Sequence, residues 1–145
     1  MTSGRPVLVV PYIGPGKSVA THVLVGWNAS REATRAVNDA IPLLQRAKKV
    51  TVLAVDPEGG TEGHGEVPSA DISLHLARHG IKVEAAQTVT GDIDVGDALL
   101  SRASDLGADL IVVGAYGHSR MREFILGGVT RHLLQHMTVP ILISH

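Results

Sequence analysis

The stretch ADLIVVGAYGHSRMREFILGGVT, residues 108–130, decides the fold, because it joins an apolar run to a glycine-rich segment and a helical pattern. The run 108–114 is almost entirely aliphatic rather than alternating, which is typical of a strand covered on both faces in a parallel sheet. Glycines follow at positions 114, 117, 127 and 128, and a helical pattern starts near Gly128 and ends near His136. In open α/β sheets, ligands bind beyond the carboxyl ends of the strands. The glycines therefore lie where a ligand would be expected.

Strand and helix patterns alternate along the rest of the chain. Apolar strand patterns lie at 22–27, 49–55, 81–89, 108–114 and 139–144, of which 81–89 alternates most and suits an edge. Helical patterns run from Glu32 to Lys48, from Ser69 to His79, from Asp94 to Leu106 and over the segment after Gly128. Ser30 or Asn28 can cap the first helix, and Pro42 is expected to kink or break it. The order predicts an α/β fold: an open, doubly wound, mostly parallel five-stranded sheet of Rossmann-like type.

One further strand pattern precedes this series. The segment GRPVLVVPY at 4–12 reads as a copy of TVPILISH at 138–145, with Pro6 matching Pro140. We therefore divide the chain into an extra N-terminal strand and linker at 1–21 and a domain at 22–145. A chance edge strand is the alternative, since proline followed by aliphatic residues is common. The sequence leaves open whether 5–12 would pair with 139–144 within one chain or between two chains.

Bulk properties narrow the function classes. The 145 residues are 44% apolar and 19% charged, with a formal net charge of −1, so neither nucleic acid nor an anionic membrane is an expected partner. There is no cysteine, which excludes a thiolate nucleophile and cysteine-bound zinc. No apolar stretch would span a bilayer, and no signal-peptide pattern opens the chain. Cytoplasmic localisation is the expectation.

The glycine spacing fits a phosphate-binding segment. Gly114 and Gly117 follow a strand, whereas Gly127 and Gly128 precede a helix, whose first N–H groups carry partial positive charge. Glycines let backbone N–H groups face a phosphate at close range. The Thr130 hydroxyl, in the first helical turn, can add a donor. The alternative is that these glycines only form tight turns.

Other polar clusters have simpler interpretations. His75 with His79, and His132 with His136, have the i, i+4 spacing of zinc-binding helices, yet no third ligand accompanies either pair. Solvated histidines are the favoured interpretation of both pairs. The acidic residues of GDIDVGD at 91–97 are interpreted as helix caps, with metal binding as the alternative. No serine lies in a nucleophile-elbow motif.

Several separated stretches resemble the universal stress protein family over residues 22–145. The family's nucleotide-binding branch has glycine, two residues, glycine, nine residues, glycine, and then serine or threonine. Gly114, Gly117 and Gly127 match this spacing, whereas Gly128 stands where the family has a hydroxyl residue. The stretches VLVGWNASREA, ADLIVVGAYGHS and VPILIS resemble the first, fourth and fifth strands of the family with their adjoining turns. The resemblance implies the adenine nucleotide alpha hydrolase-like variant of the Rossmann-like fold.

The resemblance also implies a ligand and a role. ATP, with magnesium as a candidate companion, would be held by its phosphates at Gly114, Gly117, Gly127, Gly128 and Thr130, while Asn28, Ala29 and Val55 would line the nucleoside. Asn28 replaces an aspartate of the family's binding members, so the charge at that position is lost. The implied role is a stress-response regulatory or assembly module, a homodimer through its terminal strands, acting on an unknown regulatory protein partner. A nucleotide-free dimerisation module is the alternative, and any ATPase activity would be slow because no general base is evident.

Overall fold

A six-stranded sheet with four helices forms the protein in the computed structural model, which describes residues 4–13, 18–55, 69–115 and 127–144. The strand order is β1-β6-β5-β2-β3-β4, and all neighbours are parallel except β1 and β6. The predicted fold class, a doubly wound sheet with one extra N-terminal strand, is confirmed. The strands are β1 (Val7–Val9), β2 (His22–Trp27), β3 (Lys49–Val55), β4 (Val83–Thr88), β5 (Leu110–Gly114) and β6 (Ile141–Ser144), and the helices are α1 (Arg31–Arg46), α2 (Ala70–Ala77), α3 (Val95–Leu106) and α4 (Gly128–His136).

Two apolar layers sandwich the sheet. Helices α1 and α2 cover one face, where Val37, Leu44 and Leu76 pack on strand residues such as Val25 and Val112. Helices α3 and α4 cover the other face, where Leu99 and Leu133 pack on alternate strand residues. The central strands β2, β3 and β5 are therefore buried on both faces, which is why their sequences are nearly continuous aliphatic runs. Strand β4 lies at an edge, as its alternating pattern predicts.

Local capping chemistry sets the helix ends. The Ser30 hydroxyl accepts the Ala33 N–H at 3.0 Å at the start of α1, and the Asp94 carboxylate accepts the Gly96 N–H at 2.7 Å at the start of α3. Gly107 ends α3 with a left-handed φ of 66°, which glycine adopts without a steric penalty. The predicted boundaries therefore differ from the observed ones by only a few residues.

The expected break at Pro42 is wrong. Helix α1 continues from Arg31 to Arg46 with Pro42 inside it. Pro42 is exposed, so the Asn38 carbonyl that loses its intrahelical N–H partner lies toward solvent. The inner face of the same helix buries Ala40 and Leu44 completely, and this packing outweighs the loss of one hydrogen bond.

The repeated terminal segments pair with each other within the chain. Strand β1 runs antiparallel to β6, with Val7 opposite Ile143, Leu8 opposite Leu142 and Val9 opposite Ile141. Arg35 on α1 donates from Nη2 to the Gly4 carbonyl at 3.0 Å and holds the chain just before β1. Within the described residues, no helix has the length and apolar character needed to cross a membrane.

Asp109 joins the amino ends of two central strands. Its carboxylate accepts the backbone N–H groups of Thr21 and His22 and the Ser18 hydroxyl, at 2.8 to 3.0 Å. Partial burial of the carboxyl opposes its ionisation, but the hydrogen bonds from Ser18, Thr21 and His22 outweigh burial and lower the pKa of Asp109 below its ordinary value. Asp109 thus fixes the start of β2 beside the start of β5.

We expect Asp109→Asn to destabilise the fold by about 1 kcal/mol at neutral pH, because an amide accepts these hydrogen bonds more weakly than a carboxylate does. The folded-state pKa is lowered, so the unfolded chain binds the proton more tightly and acid favours unfolding. The difference in the free energy of unfolding between wild type and variant should reach its maximum above about pH 4. It should disappear as pH falls through the lowered pKa of Asp109. Urea unfolding at several pH values measures it. A difference that stays constant down to strongly acidic pH would contradict the assignment.

Candidate functional site

The site lies at the carboxyl ends of β2 and β5, where the strand order reverses. After β2 the chain forms β3 and β4 on one side of β2, and it later forms β5 and β6 on the other side of β2. Neighbouring crossovers therefore leave in opposite directions from β2 and β5, which opens a crevice between the ends of these strands. Trp27 and Gly114 are the last residues of the two strands.

A tight turn follows β2 and starts α1. The Asn28 Oδ1 atom accepts the Ser30 N–H at 3.0 Å, and Ala29 between them has a left-handed φ of 58°. Such a conformation is uncommon for a residue other than glycine and is found often at functional sites. Asn28 and Ala29 are both exposed. Because the side-chain oxygen of Asn28 accepts a bond within the turn, its Nδ2 amide is the donor that this side chain could offer to a ligand.

Gly114 has a packing role that its place in the sequence does not reveal. A Cβ atom on Gly114 would lie 2.5 Å from the backbone N of Ala33 and 2.5 Å from the carbonyl carbon of Glu32. Both atoms belong to the first turn of α1, so the absence of a side chain lets this helix cross directly over the end of β5. Ala33 N–H also donates to the Ser30 hydroxyl. The backbone amide of Ala33 is therefore close both to Gly114 and to the turn at 28–30.

The N-terminus of α4 presents its backbone directly. Gly127 is the N-cap residue, and it has no side chain that could accept the first N–H groups of the helix. A Cβ atom on Gly128 would meet nothing within 4 Å, and Gly128 is exposed. A helix that connects two parallel strands runs opposite to them, so the N-terminus of α4 lies at the carboxyl edge of the sheet, as the site does. Thr130, the predicted hydroxyl donor, is fully buried.

The first turns of the four helices differ in charge. Glu32 lies in the first turn of α1, Asp71 in that of α2 and Asp97 in that of α3, whereas the first turn of α4 contains no acidic residue. The partial positive charge of a helix N-terminus attracts anions, and an acidic side chain in the first turn neutralises it. Among the four helices described, α4 therefore has the N-terminus best suited to an external anion.

The remaining predicted residues have different outcomes. Val55 ends β3 and is half-buried, and its side chain packs on the core beneath α3 and α4. Gly117 lies outside the described residues. The structure thus places Asn28, Ala29 and Gly114 together at the start of α1 and places Gly127, Gly128 and Thr130 at the start of α4.

The histidine and aspartate clusters contribute to the architecture. His132 on α4 contacts the Asp97 carboxylate on α3, and Asp94 caps α3 as predicted. His75 bonds the Asn38 side chain through Nε2 at 3.2 Å, and His79 bonds the His75 carbonyl through Nδ1 at 2.9 Å. Across the described ranges, no three His, Cys, Asp or Glu side chains are arranged to hold a metal ion.

Sequence reasoning missed the part that the first turn of α1 plays in the site. The relevant signal is the alanine pattern of REATRAVNDA at 31–40, in which Ala33, Ala36 and Ala40 are buried against the sheet. Small residues on a helix face let its backbone approach a strand closely, and a glycine on the facing strand permits the closest approach. These two patterns are the sequence signal of a close helix–strand approach, but they do not say which strand the helix crosses, so the contact at Gly114 could not be predicted from them.

The fold and the crevice define a Rossmann-like α/β protein, and sequence comparison assigns its family. The sequence model of the Universal stress protein family matches residues 20–145, so the chain belongs to the universal stress protein family. It is 31% identical over 67 residues to universal stress protein Slr1230 of Synechocystis sp., covering 46% of this chain and 22% of that protein. It is 36% identical over 58 residues to universal stress protein YxiE of Bacillus subtilis, covering 40% and 39% of the two chains. The matched region spans less than half of either relative.

Solved structures of universal stress proteins share this fold. A protein from Archaeoglobus fulgidus DSM 4304 superposes with a TM-score of 0.75 at 20% identity, covering 98% of this chain and 50% of that one. A universal stress protein in complex with cAMP superposes with a TM-score of 0.63 at 25% identity, covering 88% and 98%. The Archaeoglobus fulgidus protein in complex with dAMP gives a TM-score of 0.64 at 19% identity, covering 88% and 100%. Nucleotides therefore bind to proteins of this fold.

We expect Gly114→Ala to destabilise the protein by about 1–3 kcal/mol, because its Cβ would overlap backbone atoms of α1 that cannot rotate away. Gly128→Ala is the matched control, since its Cβ meets open space and alanine favours the helix by up to about 1 kcal/mol. Urea unfolding of the two variants measures the difference. Equal stabilities would show that α1 does not approach β5 as closely as described.

Proposed function

We propose that this protein binds an adenine nucleotide at the crevice between β2 and β5, with ATP as the leading ligand. The observation that carries the proposal is the N-terminus of α4, which has a glycine cap, open space at Gly128 and no acidic residue in its first turn. Backbone N–H groups at such a terminus suit a phosphate, both as hydrogen-bond donors and through the helix dipole. The nucleotide phosphates would lie there, and the glycines would let them approach the backbone.

The contrast with the other helices supports this placement. An anion at the start of α1 would meet Glu32 in the first turn and the Ser30 hydroxyl already bonded to Ala33 N–H. Phosphate at α4 meets neither obstacle within the described residues. Gly114, Gly117 and Thr130 remain part of the proposed site. Gly114 contributes by leaving room for the first turn of α1 at the end of β5. Thr130 is buried, so we assign it the role of stabilising the first turn of α4.

The nucleoside would lie toward β2 and β3. Ala29 and Val55 stand at the ends of these strands, and Asn28 offers its Nδ2 amide to an acceptor atom of the ribose or base. An amide N–H donates where the aspartate of related binding members would accept. This chain would therefore recognise an acceptor on the ligand at that point.

Relatives add independent support. The universal stress protein in complex with cAMP, at 25% identity, has an adenine nucleotide bound to the same fold, and the dAMP complex extends this to a second adenine nucleotide. Both ligands carry one phosphate, so the shared chemistry is an adenine nucleoside with at least one phosphate. Magnesium, if it accompanies ATP, would be held mainly by phosphate oxygens and water, as is common for this ion.

The biological role that we infer is regulatory. Binding without fast turnover suits a protein that changes its assembly, or the activity of a regulatory protein partner, according to nucleotide state in a stress response. The expected location remains the cytoplasm. A nucleotide-free interaction module is the second candidate, and two observations favour it: Gly128 lacks the hydroxyl of the family pattern, and the Asn28 oxygen is engaged in the turn.

Equilibrium dialysis with labelled ATP, AMP and cAMP, each with and without magnesium, tests the proposal. We expect saturable binding of at least one of these nucleotides and no binding of a pyrimidine nucleotide at the same concentration. Replacing Gly117 by a bulky residue should weaken binding while the unfolding transition stays cooperative. If no adenine nucleotide binds to the wild-type protein, the nucleotide-free module is the correct assignment.

Gly128→Ser should raise affinity for a nucleotide phosphate by about tenfold, because it restores a hydroxyl donor to a charged group worth about 1.5 kcal/mol or more. The open space at Gly128 accommodates the side chain. Gly128→Ala adds the same Cβ without the hydroxyl and is the matched control. Calorimetric titration compares the variants, and equal affinities for the serine and alanine variants would place the phosphate elsewhere.

A further inference from the structure

Basic residues gather where helices α1 and α2 end and strands β3 and β4 begin. The Gln45 Nε2 amide donates to the His79 carbonyl at 3.1 Å and so joins the ends of the two helices. The Val50 N–H donates to the Lys82 carbonyl at 2.8 Å and so joins the starts of the two strands. The exposed cations of this region are here called the basic corner, which consists of Arg46, Lys48, Lys49, Arg78 and Lys82.

The basic corner concentrates positive charge in a chain that is acidic as a whole. Its five cations and Glu84, which pairs with Lys49, carry a formal charge of +4, whereas the chain carries −1, so all other residues together carry −5. Within the described ranges, Lys49 is the one member that forms an ion pair, with its Nζ 3.0 Å from Glu84 Oε2. Like charges held close together repel each other. The four remaining cations therefore attract an anion from outside the chain.

Helix dipoles account for only part of this arrangement. Arg46 lies in the last turn of α1, and Arg78 is the C-cap residue of α2, where positive charge complements the helix end. The three lysines of the basic corner lie outside the helices. The helix ends therefore do not explain why lysines also occupy the starts of β3 and β4.

The cations lie on both sides of the sheet at this edge. Val50 and Val83 pack on the core beneath α1 and α2. Successive residues of a strand face opposite sides, so Lys49 and Lys82, which precede these valines, face the other side of the sheet. The two arginines end the helices that cover the first side. A flat membrane would meet one side at a time, whereas a flexible chain segment can contact both.

We propose that the basic corner binds an acidic segment of a protein partner. The guanidinium groups of Arg46 and Arg78 suit carboxylates, because each presents a planar pair of N–H donors. Leu74 precedes Arg78 by one turn of α2 and is 53% exposed, so it offers an apolar contact beside the charges. Pro42 is exposed at the same distance before Arg46 on α1. Cations next to apolar side chains fit a peptide that carries both carboxylates and aliphatic groups.

A nucleic acid fits this surface less well than an acidic peptide. Proteins that bind single strands stack the bases on aromatic side chains. The aromatic residues that the structure describes, Tyr12 and Trp27, lie after β1 and at the end of β2, away from the basic corner. Glu84 would also face the phosphates of a nucleic acid, whereas a protein partner can match it with a basic side chain.

The basic corner lies at the opposite edge of the sheet from the nucleotide crevice. Helix α1 begins beside Gly114 at the crevice and ends at the basic corner, and its 16 residues span about 24 Å. A partner and a nucleotide can therefore be bound at the same time. Binding at the basic corner does not depend on the proposed nucleotide binding.

Fluorescence anisotropy of a labelled polyglutamate peptide with the full-length chain tests the proposal. A peptide of about ten residues reaches about 33 Å when extended, which is enough to contact both sides of the basic corner. We expect saturable binding at low salt and a steep loss of affinity as salt concentration rises, because salt screens exposed charges. A polyglutamine peptide of the same length should not bind.

Paired substitutions on one helix assign the binding to the basic corner. Arg46→Gln combined with Arg78→Gln should weaken peptide binding about tenfold, because two exposed carboxylate contacts are removed. Arg31→Gln combined with Arg35→Gln is the matched control, since it removes the same charge from the other half of α1. The control should leave peptide affinity unchanged.

A second pair of substitutions keeps the test valid if the helix-end variant fails to fold. Lys48→Gln combined with Lys82→Gln lies outside the helices and should weaken binding to a similar extent. The proposal is overturned if wild type does not bind the peptide, or if the basic-corner and control variants bind it equally. Release of the peptide by ATP would also overturn it, because the peptide would then occupy the crevice. Tighter binding of an oligonucleotide or of anionic lipid vesicles, lost in the basic-corner variants, would assign a different class of partner.

Discussion

The close contact between Gly114 and the first turn of α1 is the constraint on which the rest of the structure depends. Backbone atoms of Glu32 and Ala33 occupy the space that any side chain at position 114 would need. Helix α1 can therefore pack closely against β5, with the small residues Ala33, Ala36 and Ala40 facing the sheet. This placement brings the turn at 28–30 beside the end of β5 and gives the crevice one of its walls.

The electrostatics of the site follow from the same arrangement. Three helices, α1, α2 and α3, have an acidic residue in the first turn. In α1 and α3 the N-cap side chain also accepts one backbone N–H. Helix α4 has glycine at its N-cap, which has no side chain to accept the first backbone N–H groups, and no acidic residue in its first turn. An anion therefore gains most at α4, while α1 shapes the crevice next to it. Helices α1 and α4 begin at the same edge of the sheet but contribute differently: α1 shapes the crevice by its packing, and α4 attracts the anion by the charge of its N-terminus.

Much of the architecture could be predicted from the sequence because it depends on local signals. Continuous aliphatic runs predicted the central strands, and Ser30, Asp94 and Gly107 marked helix ends. The break that was one of the two expected effects of Pro42 does not occur, because the burial of Ala40 and Leu44, a tertiary effect, outweighs the missing hydrogen bond. The packing role of Gly114 and the carboxylate bonds of Asp109 join residues far apart in the chain, and no local pattern encodes such contacts. The repeat between β1 and β6 was visible in the sequence, but only the structure shows that its two copies pair within the chain.

The central claim is that the carboxyl ends of β2 and β5 and the N-terminus of α4 form one binding site for an adenine nucleotide. The most direct measurement is a titration of ¹⁵N-labelled protein with ATP and AMP, followed by amide chemical shifts. The account predicts that the shifted amides cluster at 28–30, 114–115 and 127–131, while those around Asp109, at the opposite end of the sheet, stay in place. Amides that remain unshifted at saturating nucleotide, or that shift mainly at the opposite end, would contradict it.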